Sequence, residues 1–245
     1  MLAEATLVSG ILAVSNVCPI SLPARAAENK VAVSQTSSSA SELANQVAAA
    51  YGGMAKIKEM MSKGTRSHGK VSTWSTISSA TNQFECEIIS KGYKVRTEML
   101  IFGQLHIMAY DGKHGWSQSG DWVAASSEST VQHFANELEH GLNALENLDN
   151  PTWKLESLAS AYVDGKNLEV LKLYSPDGKW TKFYINPVTR LVERTEFMGF
   201  DNEQGIETVQ AIDYSAYKNV AGFPTPFKIE QYSLGKKSSE TILDA

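Results

Sequence analysis

Five histidines are the first candidates for metal or acid–base chemistry: His68, His106, His114, His133 and His140. A zinc hydrolase places two histidines four apart around a glutamate on one helix, so that both imidazoles reach one ion. No pair here stands in that frame, and no Cys or carboxylate cluster completes a ligand set. His133 and His140 are seven residues apart, which sets them on one side of a helix, and their polarity assigns them to its outer face. His114 follows Asp111 in D-G-K-H-G-W, but an Asp–His pair needs a nucleophile, and no G-x-S-x-G elbow supplies one. The Asp111-Gly112 pair suits a hairpin turn instead, with Trp116 covering the sheet behind it.

The remaining reactive types are equally quiet. Glu85 and Glu87 alternate with Phe84 and Cys86, so they share the solvent side of a strand and do not form a glycosidase acid/base pair. Cys86 has no Lys, Arg or His beside it and is expected as a small buried hydrophobe. Gly52-Gly53 ends a helix where a dinucleotide fingerprint would have to open one after a strand. No catalytic residue, metal ligand or cofactor is assigned, and the protein is not expected to be an enzyme.

What remains is how the chain buries its apolar residues. It has 245 residues, 42% of them apolar and 20% charged, with a net charge of −5. No basic stripe appears, which argues against a nucleic-acid partner. Leu7–Val14 is an apolar run too short to span a bilayer, and Ala24-Arg25-Ala26 beyond Pro23 suits signal peptidase. Residues 1–27 are therefore expected as a cleaved export signal, 28–40 as a mobile polar leader, and 41–245 as a single domain in the periplasm. Cleavage leaves Cys86 as the one cysteine, so the domain must hold together without an internal disulfide.

Ser39 and Glu42 form a capping box, after which Leu43, Val47, Ala50 and Tyr51 share a helical face. A second helix turns Met54, Ile57 and Met61 inward and ends near Gly64. Short alternating runs from Val71 to Trp116 then predict an antiparallel meander, because parallel neighbours would need long crossovers. One helix interrupts it: Ser129 and Gln132 predict a cap, and Phe134, Leu138, Leu142 and Leu145 form one stripe over Thr130–Asn147. The meander resumes after Pro151, including a hairpin in D-G-K-W-T-K-F-Y-I-N-P-V-T-R-L-V-E-R that turns at Asn186-Pro187.

The segments Y-G-G-M-A-K-I-K, D-G-K-H-G-W, D-G-K-W-T-K-F-Y-I-N-P-V-T-R-L-V-E-R and D-Y-S-A-Y-K-N-V-A-G-F-P-T-P-F-K-I resemble recurring segments of the LolA-like outer-membrane lipoprotein-sorting superfamily. The resemblance covers about residues 40 to 240. It implies an α+β, β-dominated fold: a strongly curved antiparallel sheet, an unclosed half-barrel, with helices covering the concave face. It also implies binding of acyl chains or lipoproteins, without catalysis. The Arg beside a Pro that helps control release in the lipoprotein carriers has no counterpart around Ser90–Tyr93, where Arg96 stands without a Pro.

Together these features predict a periplasmic carrier or binding module, a monomer, for a lipid or acylated lipoprotein exchanged with envelope membrane proteins. Its apolar lining is expected from Phe84, Ile88, Val95, Met99 and Ile107 of the sheet and from Phe134, Leu138, Leu142 and Leu145 of the helix. The alternative is an envelope signalling or scaffold domain of the same fold, marked by an exposed aromatic patch at Phe197, Phe200 and Tyr217. Export predicts a mature N-terminus near Ala27 or Glu28. N-terminal sequencing of protein from its native host checks this, and an intact Met1 on soluble protein overturns it.

Overall fold

Ser39 accepts a hydrogen bond from the Glu42 amide and starts α1 (Ala40–Ala50), whose buried face is Leu43, Ala44, Val47 and Ala48. The computed structural model describes residues 39–75, 81–201 and 204–244. The expected export signal and all of the leader except Ser39 and Ala40 lie outside them. Gly52 and Gly53, both at positive φ, turn the chain into α2 (Met54–Lys63), where Ile57 is fully buried.

Six strands follow: β1 (Thr65–Trp74), β2 (Thr81–Lys91), β3 (Lys94–Ile101), β4 (Gln104–Tyr110), β5 (Gly115–Ser119) and β6 (Trp122–Ala125). Then come α3 (Glu128–His140) and a 3-10 turn at Leu142–Asn147. Beyond them run β7 (Lys154–Val163), β8 (Lys166–Tyr174), β9 (Trp180–Ile185), β10 (Val192–Asp201) and β11 (Ile206–Ser215). The last elements are β12 (Lys218–Val220), β13 (Phe223–Thr225), β14 (Lys228–Ser233) and β15 (Lys236–Leu243). Among the described residues, no helix is long and apolar enough to cross a membrane.

Thirteen strands form one antiparallel sheet in the order β6-β5-β4-β3-β2-β1-β15-β14-β11-β10-β9-β8-β7, while β12 and β13 pair separately. The two edges, β6 and β7, do not pair with each other; α3 and the 3-10 turn carry the chain from one edge to the other. The result is the curved, unclosed sheet that the LolA-like resemblance implies. The two strands approach closely where β1 meets β15: a Cβ added at Gly69 would stand 2.1 Å from the Ile242 carbonyl oxygen.

The single helix expected over Thr130–Asn147 is two elements. Ser127, two residues before the expected cap, accepts from the Thr130 amide, so the helix starts at Glu128. It stops at Gly141, which is extended (ψ −154°) and packs against the Glu137 carbonyl so closely that a Cβ there would lie 2.8 Å from it. Glycine is a weak helix former, and periodicity alone did not register that break.

The main core lies in one half of the sheet. It joins α1, α2 and the 3-10 turn to Leu171, Leu173, Phe183, Ile185, Phe197 and Ile212 on β8 to β11. Each fully buried residue of this size contributes roughly 1.5–3 kcal/mol. A hydrogen-bonded clamp fixes α1 onto it: the Val192 amide donates to Tyr51 Oη (3.3 Å), and Tyr217 Oη donates to the Val192 carbonyl (2.5 Å). Tyr217 has then used its only hydrogen, so the 3.1 Å contact between the hydroxyls is donated by Tyr51. The clamp satisfies both backbone groups of Val192, where the β9–β10 register slips. Burial raises the Tyr51 phenol to about 12, which keeps the proton that the chain of bonds requires.

Tyr217→Phe is expected to destabilise by about 1–3 kcal/mol in urea unfolding, because it strands the Val192 carbonyl and the Tyr51 hydroxyl. Tyr51→Phe should cost a similar amount. The double variant should cost less than the sum, since both residues serve one network.

Candidate functional site

Strand register decides which side chains face α3. Val71 pairs with Phe84, Gly69 with Cys86, Cys86 with Met99, and Ile88 with Thr97, which pairs in turn with Met108. Directly paired residues share a face, so these form one surface. Tyr110, on the same face through its partner Val95, stacks on Phe134 of α3 with centroids 6.2 Å apart at 20°. This surface therefore lies on the concave side, under the helix.

Here the concave face is not filled. Val71, Phe84, Ile88, Thr97, Met99 and Met108 are all only half-buried, although α3 lies over them. Between them and the helix is a cavity of about 460 Å³. A smaller space of about 250 Å³ shares Ile88 with it and continues toward Met60, Met61, Leu142 and Phe223.

The opposite wall is polar and internally satisfied. Gln231 Nε2 donates to Glu137 Oε1 at 2.6 Å, and Ser239 Oγ donates to Gln231 Oε1 at 2.6 Å. His133 Nε2 lies 3.1 Å from the same Glu137 oxygen, and that carboxylate raises the His133 pKa against the opposing effect of burial. Asp201, buried at the end of β10, accepts from the Gln204 amide (2.8 Å) and from Ser233 Oγ, which itself accepts from Gln210 Nε2 at 3.0 Å. One wall is thus an apolar surface that gains by losing its water, while the other is a polar surface whose side chains are held in place by hydrogen bonds among themselves. Among the described residues no group of three or more His, Cys, Asp and Glu is arranged to hold a metal. Burial raises the Cys86 thiol, which keeps it protonated and unreactive.

Of the residues expected to line the site, Phe84, Ile88, Met99 and Phe134 border this cavity, and Leu142 borders the smaller space with Ile88. Leu138 lies elsewhere, in a cleft of about 520 Å³ with Tyr93, Tyr110 and Trp153. Val95 shares the concave face but is outside the lining, and Leu145 is fully buried in the main core. Ile107 must be corrected: it pairs with Glu98 and Gln118, on the convex face. Both parities of β4 are apolar (Leu105, Ile107, Ala109 against Met108, Tyr110), so alternation could not choose its side. Val71, Cys86, Thr97 and Met108 were missed for the complementary reason, since only pairing with β2 and β3 brings them together.

Two further expectations are overturned. His140 is not on an outer face: it is 3% exposed, stacks on Phe197 at 5.1 Å, and its Nδ1 lies 2.7 Å from Thr181 Oγ1. His133 lines the cavity. The side of α3 with polar residues faces the sheet because the sheet offers polar partners there. The expected aromatic patch is likewise not a surface: Phe197 is 2% exposed, Phe200 lines the cavity and Tyr217 serves the clamp.

No family model matches the chain, and no curated protein matches it. Solved structures do. A LolA superfamily protein from Nitrosomonas europaea aligns with a TM-score of 0.52 at 14% identity, over 82% of this chain and 90% of that one. A DUF1329 family protein from Desulfovibrio piger aligns with a TM-score of 0.49 at 15% identity, over 82% of this chain and 91% of that one. The chain has the LolA-like fold.

Burial lowers the His140 pKa from 6.5 to about 4, so the folded protein holds this imidazole neutral while the unfolded chain protonates it. A depressed folded value for a base means stability is full above pH 6.5 and falls as pH drops toward 4, by up to about 3 kcal/mol. Denaturant unfolding across that window should show this slope in the wild type. His140→Gln should flatten it, and an unchanged slope contradicts the assignment.

Proposed function

We propose that the protein is a periplasmic carrier or binding module for a lipid-like ligand or a lipoprotein acyl chain, exported by a cleaved signal and acting through the single domain 41–245. The observation that carries this is the apolar concave surface of β1 to β4, half-buried around an unfilled cavity of about 460 Å³. A well-packed protein leaves few voids larger than a water molecule, so apolar walls around this much space call for an occupant. The volume falls within the roughly 300–1,000 Å³ of small-molecule sites. Each methylene of an acyl chain moved there from water gains about 0.8 kcal/mol.

The LolA-like fold supports the same reading, since it frames a concave face that helices cover. The polar wall around Gln231, Glu137 and Asp201 gives the ligand a preferred orientation, its polar end toward β10, β11 and β14. A scaffold role would have used the aromatic patch at Phe197, Phe200 and Tyr217, and those side chains are engaged inside the molecule.

Native mass spectrometry of detergent-free protein is expected to show co-purified lipid, and wild type should bind a fluorescent fatty acid. Met99→Trp is the decisive variant because Met99 borders the cavity. In a packed core it would overpack and cost about 1–3 kcal/mol. We expect less than about 1 kcal/mol of destabilisation together with loss of probe binding. A wild type that binds no fatty acid and carries no lipid overturns the proposal.

A further inference from the structure

Exposed apolar side chains gather on one rim of the half-barrel, the end of the sheet that the cavity reaches. The antiparallel register puts the end of β1, the β3–β4 turn, the β5–β6 turn and the β14–β15 turn at the same end of their strands. The cavity lining extends to Trp74, Ser233 and Asp201, the last residues of β1, β14 and β10 at that end. Phe102 forms the β3–β4 tip and is 96% exposed. Beside it on β3 and β4, Leu100 and Leu105 pair with each other and are exposed. Trp122, 65% exposed, and Val123 project from the β5–β6 turn. A Cβ at Gly120 would lie 2.9 Å from Gln104 Nε2, which sets the two turns side by side.

The backbone at these tips is strained for the residues it holds. Phe102 (φ 50°) precedes Gly103 (φ 79°), and Leu234 (φ 53°) precedes Gly235 (φ 71°). Such paired left-handed turns favour Asn, Asp or Gly at the first position, and the β7–β8 hairpin accordingly has Asp164 there. A large apolar residue in this conformation is an outlier, and Phe102 receives no packing in return. Charge selects the occupant. No charged residue occurs from Met99 to Leu105, and Asp121 is the charge beside Trp122, so nothing at these two tips attracts anionic headgroups. Adjacent protruding tips whose Phe102 and Trp122 side chains stay exposed suit a fluid apolar phase better than a shaped protein surface.

We infer that the Phe102 and Trp122 hairpin tips dock this rim on a neutral lipid bilayer by shallow insertion. Aromatic side chains partition to the bilayer interface, and their burial removes apolar area from water without requiring opposite charge. The contact sets the end of the cavity against the phase from which an acyl chain would enter, so the inference extends the carrier proposal.

The test is co-sedimentation of the full chain with phosphatidylcholine vesicles, with and without phosphatidylglycerol, at low and high salt. Wild type should bind both vesicle types alike, with little dependence on salt. Phe102→Asn should weaken binding about tenfold, and adding Trp122→Ser should abolish it. Asn suits the left-handed turn, so Phe102→Asn should melt at the same temperature as wild type or higher, which separates lost docking from lost folding. Both variants should bind a soluble fluorescent fatty acid as wild type does. Vesicle binding without fatty-acid binding would reject the carrier proposal and leave the docking surface standing. Wild type that ignores phosphatidylcholine, binds only anionic vesicles in low salt, or binds unchanged after Phe102→Asn overturns the inference. So does self-association without vesicles that Phe102→Asn abolishes, which would give the patch to a second copy of the chain.

Discussion

A thirteen-stranded antiparallel sheet that curves without closing must cover its concave face, and the described residues bring three short helices and one 3-10 turn to do it. That shortage of cover governs the molecule. α1, α2 and the 3-10 turn crowd against β8 to β11, where Val47, Tyr51, Ile57, Leu145, Leu171 and Phe183 are wholly enclosed. α2 reaches only the β2 end of the other half, through Met60 and Met61, and α3 covers the rest of the concave face of β1 to β4. One helix of thirteen residues cannot fill that width, and the space left over is the cavity.

The two halves are held by different forces. Hydrophobic burial and the Tyr51–Tyr217–Val192 clamp fix the filled half, so α1 has little freedom to move. α3 is attached largely through polar groups: Glu137 to Gln231, His140 to Thr181, and Glu139 to Lys179 at 3.0 Å. Its apolar anchor is Phe134 on Tyr110. Polar contacts of this kind contribute about 1 kcal/mol each after exchange with water, much less than a filled apolar interface. A helix held this way covers the cavity without sealing it into a core. The buried histidine beside Phe197 follows from the same arrangement, because a polar helix face laid on the sheet needs polar partners and neutral imidazole costs less to enclose than a charged one.

The rim completes the division of labour. Interior apolar residues of β1 to β4 line the cavity, while the β3–β4 turn and the start of β6 carry Phe102 and Trp122 outward into solvent. In the proposed carrier the strands supply the container and the hairpin tips the contact surface, with no residue serving both.

Local chemistry settled much of this chain before any folding was considered. The caps at Ser39 and Gly52-Gly53, the Asn186-Pro187 turn and the alternation through β9 and β10 depend on neighbours within a few residues, and they fix the element types and an antiparallel sheet. The absence of spaced ligands or a nucleophile elbow is also a local property, so it could be read directly. The faces could not. β4 is apolar on both parities, so only pairing with β3 and β5 sends Met108 inward and Ile107 outward. Nor could the break at Gly141, which answers to close packing against Glu137 and Tyr214. The inward turn of His140 depends on Thr181, 41 residues further along the chain, and that of His133 on Glu137, which Gln231 holds from 94 residues further along. The cavity itself is a difference between the area a curved sheet presents and the volume its helices fill, and that quantity exists only once both are assembled.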